Sequence, residues 1–361
     1  MEKNNKDLKA LHVTGFWSGN YYYRSWLPAY AVNKTYNLGW MTSNDSIEGQ
    51  GNNGKELVQK MHKADVVQFQ RPNYEASIEL MKAAKQLNKI VVFDDDDTFK
   101  IGEGIVPKDD EEQKLAEKIH ATRIEGLRMA HGATCTTEFL AKEMREHTNK
   151  VQVLPNCIDP KRADVNYPNT TGKPRILILG SVISNEDWHI AKEAILAVAD
   201  KVTFVGMGVP DLTRYHSYRD DLKFWRSLPD FEEHPFKVFG EYYDAIQELG
   251  VDMAIAPRAD NYFNRCKSNL KFLEVSLFGI PFIGQGFDDG MSPYQVNPAD
   301  QPYQTVVDHN PQAWVDALTY AIDNIEELKA KGLEAQKYVT EEYSAYKHAH
   351  KWVDFYKELT K

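Results

Sequence analysis

Short apolar runs alternate with longer amphipathic stretches along almost the whole chain. The runs have the pattern of buried strands, and the stretches between them place apolar residues three and four positions apart, as helices do. Strands are predicted at 11–15, 36–41, 65–70, 89–93, 133–137, 150–154, 175–179, 202–205, 237–239, 253–257 and 304–307, with another beginning at 281. This alternation predicts βαβ units and parallel sheets.

A polar segment at 161–173, containing Asn, Pro, Thr and Gly, interrupts the alternation and is typical of a linker. The same strand and helix pattern resumes after it. A chain of 361 residues is also longer than one hydrophobic core usually supports. The sequence therefore predicts two Rossmann-like α/β domains facing across a cleft, at residues 1–165 and 166–340.

The stretch 251–285 has the most informative pattern. A buried strand is followed by a polar loop, a helix that we expect to begin near Lys267, a glycine stop and a further strand. The first turn of such a helix has unpaired backbone N–H groups and the positive end of the helix dipole. We therefore expect the amides of Lys267, Ser268 and Asn269 to form a seat for an anion.

On that helix Lys267, Lys271 and Glu274 would share one face, and three leucines would face the opposite way. The lysines would then be placed to meet phosphate, while Glu274 would accept hydrogen bonds from two neighbouring hydroxyls. This combination is typical of a nucleotide-sugar pocket. The alternative is that Lys271 and Glu274 form an exposed pair worth about 0.2–0.5 kcal/mol.

The letters of this stretch resemble a known donor-site signature. Lys-Ser-Asn-Leu-Lys-Phe-Leu-Glu at 267–274, followed by Phe-Gly-Ile-Pro-Phe-Ile at 278–283, is similar to the signature of GT-B glycosyltransferases. The family is the large retaining one that includes sucrose and mannosyl transferases, and the chain looks closer to a bacterial and phage subgroup. The resemblance implies that Glu274 binds the ribose of the donor. It also implies a C-terminal helix, at 341–361, that crosses back to the first domain.

Two positions depart from the family pattern. The fuller pattern has a second Glu eight positions before Glu274, where this chain has Cys266, so the sugar contact attributed to that Glu has no obvious counterpart. Many members also place a His at the end of the strand at 65–70. Here Gln68, Gln70 and Arg71 occupy that stretch, and no imidazole base is evident.

The resemblance implies roles for further residues, because the corresponding loops of the family contact donor or acceptor. The candidates for acceptor or cleft contacts are Gly15, Asn20, Arg24 and Arg71. The candidates for donor binding besides Glu274 are Ser268, Asn269, Gly180, Ser181, Gly240, Glu241 and Tyr242. For the aromatic residues near Asn20, packing of the first helix is the favoured interpretation.

Four consecutive carboxylates, Asp94, Asp95, Asp96 and Asp97, follow the strand at 89–93. Adjacent carboxylates raise each other's pKa unless they are solvated, paired or bound to a cation. Similar runs in related sequences suggest a lip of the cleft that positions acceptor hydroxyls or a cation. A GT-A transferase would instead use an Asp-x-Asp here to bind a metal that clamps the diphosphate. A solvated acidic turn is the third interpretation.

Composition limits the partners. The net charge of −10 argues against an extended nucleic-acid surface. No run is long enough to span a membrane and the N-terminus lacks the apolar core of a signal peptide, so we expect a cytoplasmic protein. Cys135, Cys157 and Cys266 have neither disulfide nor zinc-ligand spacing. We expect no cofactor, and a divalent metal is the less favoured option.

Together these features predict an enzyme that transfers a sugar from a nucleoside-diphosphate donor to a hydroxyl, with retention at the anomeric carbon as the family implies. Lys267, Lys271 and Arg265 would be the catalytic cations that stabilise the departing diphosphate. The acceptor would be a saccharide, a lipid-linked molecule, a protein or a modified nucleic acid. The alternatives are a metal-dependent GT-A-like transferase, a phage-type enzyme acting on modified DNA bases, and a non-catalytic nucleotide-sugar or glycan-binding protein.

Overall fold

The computed structural model describes residues 8–15, 19–43, 54–103, 107, 109–165, 172–179, 186–209 and 219–361. The chain divides into two compact units. Unit 1 comprises Met1–Asp159, Asn261–Ser268 and Tyr343–Lys361, and unit 2 comprises Pro160–Asp260 and Asn269–Glu342. The segment Asn261–Ser268, which includes the first two residues of the signature, therefore belongs to unit 1, although segments of unit 2 precede and follow it in the sequence.

Unit 1 is built on a six-stranded parallel sheet with the order β2-β1-β3-β4-β5-β6. Its strands are β1 (Ala10–Thr14), β2 (Met41–Ser43), β3 (Val66–Gln70), β4 (Ile90–Asp95), β5 (Gly132–Cys135) and β6 (Val151–Val153). Its helices are α1 (Gly19–Tyr21), α2 (Leu27–Tyr36), α3 (Gly54–Lys63), α4 (Glu75–Gln86), α5 (Asp110–Met129), α6 (Glu138–Arg145), α10 (Tyr262–Cys266) and α14 (Ala345–Leu359). A π-helical turn (Tyr22–Trp26) joins α1 to α2. Strands β1, β3 and β5 are buried along their whole length, as is typical of parallel strands covered on both faces.

Unit 2 is built on a second six-stranded parallel sheet with the order β12-β11-β10-β7-β8-β9, which is the Rossmann strand order. Its strands are β7 (Arg175–Leu179), β8 (Thr203–Val209), β9 (Phe231–Pro235), β10 (Met253–Ala256), β11 (Phe282–Gln285) and β12 (Thr305–Val307). Its helices are α7 (Lys192–Val198), α8 (Arg219–Arg226), α9 (Phe239–Glu248), α11 (Leu270–Ser276), α12 (Pro311–Asp323) and α13 (Ile325–Glu342).

The C-terminal helix α14 belongs to unit 1 and packs against α2. Beneath it the hydroxyl of Tyr356 donates to Gln68 and lies 3.0 Å from Nε2 of His12, which is fully buried. Burial lowers the pKa of His12 to about 3, so the ring is neutral inside unit 1. Among the described residues, no helix has the length and apolar character needed to cross a membrane.

Most predicted strands agree with the structure to within a few residues, but two are misplaced. The strand expected at 237–239 lies instead at Phe231–Pro235, and α9 begins at 239. β9 is a half-exposed edge strand, so it lacks the apolar run that marks a buried strand. The strand expected at 36–41 begins only at Met41, because α2 continues to Tyr36 and Asn37 ends it in the left-handed conformation at φ 54°.

Candidate functional site

Each sheet has one point at which the strand order reverses, and ligands of parallel α/β sheets bind beyond the carboxyl ends of the strands there. The reversal lies between β1 and β3 in unit 1 and between β7 and β10 in unit 2. Gly15 and Arg71 directly follow β1 and β3, and Arg258 lies two residues beyond β10. The predicted residues Gly180 and Ser181, which follow β7, lie outside the described residues.

Arg71 has an unusual backbone at the reversal point of unit 1. Its φ angle of 49° lies in the left-handed region, which costs a non-glycine residue about 1–3 kcal/mol and is frequent at functional sites. The N–H of Arg71 donates to the carbonyl of Asp94 at 2.9 Å. Its guanidinium lies 2.9 Å from Asp96 and 3.5 Å from Asp95 and pairs with Asp97. With 21% of its side chain exposed, Arg71 is accessible to a ligand.

Arg24 and Asp94 form an ion pair in the core of unit 1. Both side chains are fully buried, and Arg24 donates to the two Asp94 oxygens at 3.2 and 2.7 Å. Thr134 also donates to Asp94 at 2.6 Å, and Arg24 donates to the Leu154 carbonyl at 2.6 Å. Burial raises the pKa of Asp94, although Arg24 opposes the shift. Neither side chain reaches the surface, so we correct their assignment as acceptor contacts. Arg24 and Asp94 instead stabilise the carboxyl end of β4 from within the core of unit 1.

The rest of the acidic run forms a turn next to Arg71. One oxygen of Asp95 accepts the backbone N–H groups of Asp96 and Asp97 at 2.9 and 3.1 Å, and Arg123 lies 3.4 Å from the other. Burial raises the pKa of Asp95 to about 6, with Arg123 and Arg71 opposing the shift. The side chains of Asp96 and Asp97 keep 15% and 16% exposure. The accessible part of the run is therefore Asp96 and Asp97, together with Arg71.

Every carboxylate of the run contacts a cation of unit 1. The pairs are Arg24–Asp94, Arg123–Asp95, Arg71–Asp96 and Lys267–Asp97. A metal bound through Asp-x-Asp would have to displace two of these cations. In the part of the chain that the structure describes, no group of three or more His, Cys, Asp or Glu residues is arranged to hold a metal ion. The run is organised as an ion-pair network.

Asn20 joins this network through α1. The side-chain amide of Asn20 is oriented so that its nitrogen faces an acceptor and its oxygen faces donors. The nitrogen then donates to Asp96 at 3.0 Å, and the oxygen accepts from Arg71 at 2.9 Å. Gly15 is half-buried at the end of β1, which pairs with β3 up to Thr14 and Gln70. Gly15, Asn20 and Arg71 thus come from three elements that meet at the reversal point.

The single helix expected to begin at Lys267 is wrong, because two short helices occupy this stretch. Asn261 caps α10 by accepting the N–H of Asn264 at 2.8 Å, and α10 ends before Lys267. Lys267 is extended (φ −70°, ψ 151°), and its N–H donates to the Asn264 carbonyl at 3.2 Å. Since α11 begins only at Leu270, Lys267 neither offers an unpaired amide nor shares a helix face with Glu274.

The Lys267 side chain is engaged within unit 1. Its Nζ pairs with Asp97 and lies 4.1 Å from the ring centroid of Phe263. Burial alone would raise the pKa of Asp97, but Arg71 and Lys267 hold it below its usual range. Lys267 therefore pairs with the last carboxylate of the acidic run, Asp97.

Cys266 is a core residue of unit 1. It is fully buried in an apolar cluster with Phe99 and residues of α6, and burial raises the pKa of its thiol. The Thr137 hydroxyl donates to the Cys266 carbonyl, and Asn156 donates to the Ser268 hydroxyl, each at 3.0 Å. The position at which the resembled family has a Glu is thus used here for packing.

Glu274 and Tyr242 come together in unit 2. Glu274 on α11 is only 7% exposed, and it accepts a hydrogen bond from the Tyr242 hydroxyl of α9 at 3.0 Å. Burial and the charge of Glu274 raise the pKa of Tyr242 well above its usual value, so the hydroxyl remains a donor. Two residues that the sequence assigns to donor binding, 32 positions apart, are therefore in contact.

The other predicted residues occupy varied surroundings. Lys271 lies on α11 nearly one turn before Glu274 and is half-buried. Gly240 and Glu241 are exposed in the first turn of α9. Arg265, on α10, is half-buried in unit 1.

Arg258 is a buried cation at the reversal point of unit 2 and is not among the residues predicted from the sequence. Its side chain is 6% exposed, Nε donates to the Tyr294 hydroxyl at 3.1 Å, and the guanidinium carbon lies 5.6 Å from the centroid of that ring. Asp187 lies 3.9 Å away and accepts the N–H of Ala259 at 3.0 Å. The available signal was an Ala-Pro-Arg sequence directly at the end of a buried strand.

Comparison with known proteins identifies the fold. No protein-family model matches the sequence, and no curated protein matches it significantly. Among solved structures, Anabaena HepE in complex with UDP and glucose is similar with a TM-score of 0.67 at 11% identity, over 96% of this chain and 98% of HepE. A glycosyltransferase from Rickettsia africae is similar with a TM-score of 0.64 at 15% identity, over 98% of this chain and 99% of the other. Sucrose-phosphate synthase from Thermosynechococcus elongatus gives 0.64 at 12% identity, over 98% and 99%.

These relatives are two-domain α/β proteins of the GT-B type. This chain likewise has two six-stranded parallel sheets, each with flanking helices, and its last helix returns to the first unit. The protein therefore has the GT-B fold.

Proposed function

We propose that the protein is a glycosyltransferase that moves a sugar from a nucleoside-diphosphate donor to a hydroxyl acceptor, with retention of configuration at the anomeric carbon. The observation that carries the proposal is the buried contact between Glu274 and Tyr242 in unit 2. The fold supports it, because structures that share this fold contain UDP-glucose, as in HepE, or ADP, as in a starch synthase.

Glu274 has the properties required to bind the two hydroxyls of a ribose. A carboxylate has about four lone-pair sites on its two oxygens, and Tyr242 donates to one of these oxygens. Hydrogen bonds from ribose hydroxyls to an ionised acceptor are about twice as strong as neutral ones. Tyr242 would orient the carboxylate, so that binding of the donor loses little side-chain freedom.

The departing diphosphate gains negative charge, which positively charged groups must stabilise. Lys271, close to Glu274 on the same helix, is our first candidate, and Arg265 is the second. Arg258 at the end of β10 would hold the diphosphate in the ground state. Lys267 would take part only after releasing Asp97.

In the mechanism that we propose, the acceptor attacks from the face that the diphosphate leaves, which retains the anomeric configuration. The leaving phosphate oxygen would then accept the proton of the acceptor hydroxyl, so no imidazole base is needed. Gly15, Asn20, Arg71 and Asp96 are our candidates for binding the acceptor. Saccharide, lipid-linked, protein and modified nucleic-acid hydroxyls all fit this chemistry.

The test is release of nucleoside diphosphate from UDP-, GDP- and ADP-sugars, with and without each class of acceptor. We expect Lys271→Ala to lower kcat by about 10²–10³-fold, the usual effect of losing a group that stabilises transition-state charge. Lys82→Ala serves as the matched control, because Lys82 is an exposed lysine of α4 with 45% side-chain exposure. If the wild-type protein binds nucleotide sugars but Lys271→Ala releases diphosphate at an unchanged rate, the assignment of Lys271 is wrong.

A non-catalytic nucleotide-sugar-binding protein is the second candidate. It is favoured by Cys266, which is buried where the resembled family has a sugar-binding Glu, and by the pairing of Lys267 with Asp97. Tight binding without diphosphate release in the presence of every acceptor class would support this function. Mn²⁺ is included in parallel reactions because a strict requirement for it would favour a metal-dependent transferase. Steeply salt-dependent binding to modified duplex DNA would favour a nucleic-acid acceptor.

A further inference from the structure

Asp300 is a buried carboxylate of unit 2 that takes no part in the chemistry proposed above. It is 1% exposed and lies in a 3-10 helix (Pro298–Tyr303). One oxygen accepts from the Asn269 side chain at 2.7 Å. The other accepts from Asn297 at 2.9 Å and from the Tyr338 hydroxyl at 2.8 Å. A buried charge is costly unless it is hydrogen-bonded, so these donors and the carboxylate hold one another in place.

Asn269 is the N-cap residue of α11, but its side chain makes no capping bond to that helix. An N-cap Asn usually has an extended backbone and accepts an N–H of the first turn with its side-chain oxygen. Here the backbone is at φ −74° and ψ 19°, and the side-chain nitrogen donates to Asp300. The conformation at the start of α11 is therefore set by Asp300, which is 31 residues away in the sequence.

The other end of α11 is held by α13. Gln336 donates to the C-cap carbonyl of α11 at 2.9 Å, and a Cβ atom on Gly332 would lie 2.1 Å from the Gly279 carbonyl, so the backbones approach closely. Tyr338 lies about 9 Å beyond Gly332 along α13, at the helical rise of about 1.5 Å per residue, and its hydroxyl donates to Asp300. Helix α13 thus fixes one end of α11 directly and the other end through Asp300.

We propose that Asp300 is a positioning residue of the donor site, which holds Asn269 and so fixes the place of Lys271 and Glu274. This inference rests on the proposed function, because it concerns how unit 2 holds its donor-binding helix. Displacement of a binding group by about 1 Å costs up to about 10²-fold in activity. A change at Asp300 should therefore alter donor affinity although the residue contacts no donor.

The experiment is a double-mutant cycle between Asp300→Asn and Asn269→Ala, read as the Kd of UDP, GDP and ADP by calorimetry. Asp300→Asn keeps the shape of the side chain and places an amide where an ionised acceptor was. We expect it to weaken the tightest of the three nucleotides about tenfold, the loss of one charge-assisted hydrogen bond. In the Asn269→Ala background the same change should have no further effect. Tyr338→Phe, which removes one bond to Asp300 and leaves the bond to Asn269 in place, should lower the Tm and weaken nucleotide binding less than Asp300→Asn does.

Equal effects of Asp300→Asn in both backgrounds would overturn the inference, because Asp300 would then act without Asn269. An unchanged Kd in Asp300→Asn would also overturn it. Hydrogen exchange of the α11 amides in the nucleotide-free protein is measured in parallel, and it should be faster in Asp300→Asn than in Tyr338→Phe. If the wild-type protein binds none of the three nucleotides, the proposed function fails. The exchange rates then decide by themselves whether Asp300 fixes α11.

Discussion

If Glu274 binds ribose, its removal should abolish discrimination between ribose and dideoxyribose nucleotides. The perturbation has two parts: Glu274→Ala in the protein, and replacement of a nucleoside diphosphate by its 2′,3′-dideoxy form. The four combinations of protein and ligand form a cycle that isolates the contact between the carboxylate and the hydroxyls. A loss of affinity that merely reflects a disturbed helix would affect both ligands equally.

The structure allows the size of the effect to be estimated. Glu274 is 7% exposed and accepts a hydrogen bond from Tyr242, so a ribose hydroxyl that donates to it would do so in a site shielded from water. Hydrogen bonds to charged groups contribute about 1.5–3 kcal/mol. The wild-type protein should therefore bind the dideoxy form about 10–150-fold more weakly. In Glu274→Ala the two forms should differ by less than about threefold.

Isothermal titration with the nucleotide that binds most tightly is the appropriate assay. Glu326→Ala is the matched control, because Glu326 is an exposed glutamate of unit 2 with 83% side-chain exposure. It should preserve the full discrimination. A dideoxy penalty that persists undiminished in Glu274→Ala would refute the assignment of Glu274 to the ribose.

Three further predictions concern unit 1. Arg24→Met should lower the free energy of unfolding of unit 1 in urea by about 3–5 kcal/mol, because Asp94 is left as an unpaired buried charge. The double variant Arg24→Met/Asp94→Leu should recover much of this stability. An equal loss in the single and the double variant would contradict the explanation. The pKa of His12 is about 3 in the folded state and about 6.5 when unfolded. Protons therefore bind preferentially to the unfolded chain, and stability should fall as the pH drops from about 6.5 towards 3, with a flatter profile in His12→Gln. Burial raises the pKa of Cys135 and Cys157 to about 12, so neither thiol should react with iodoacetamide near pH 8 before unfolding, as mass spectrometry would show.

The sequence predicts the architecture well wherever a strand is buried on both faces. β10 is apolar and fully buried, so its apolar run alone locates it. β9 was misplaced because a half-exposed edge strand carries polar residues that do not differ from those of a loop. The break between α10 and α11 escaped detection for another reason. Leu270 and Phe272 continue the apolar pattern of the preceding residues, so the sequence predicts one helix. The extended backbone of Lys267, which separates the two helices, is not indicated by any residue type at that position.

Candidate site residues could be proposed where they lie close together in a recognisable pattern. The role of Glu274 could be proposed from the resemblance of its own stretch, although its contact with Tyr242 depends on how α9 and α11 pack. Burial of Arg24 against Asp94 could not be foreseen, because it depends on the π-helical turn that carries Arg24 and on a strand 70 residues away. Asp300 gives no signal at all, since an aspartate after Asn-Pro-Ala is ordinary turn sequence.

The division of the donor signature between the units changes how its letters should be interpreted. Lys267 and Ser268 belong to unit 1 and bond to Asp97 and Asn156, whereas the signature from residue 269 onward belongs to unit 2. The first two residues of the signature, Lys267 and Ser268, therefore bond to the acidic run and to the loop after β6. Only the later residues of the signature belong to the helix that carries Glu274. The surroundings of Cys266 also explain why a glutamate would be unfavourable at this position. That position lies in the core of unit 1, where an ionised carboxylate without a partner would cost several kcal/mol and a thiol costs little.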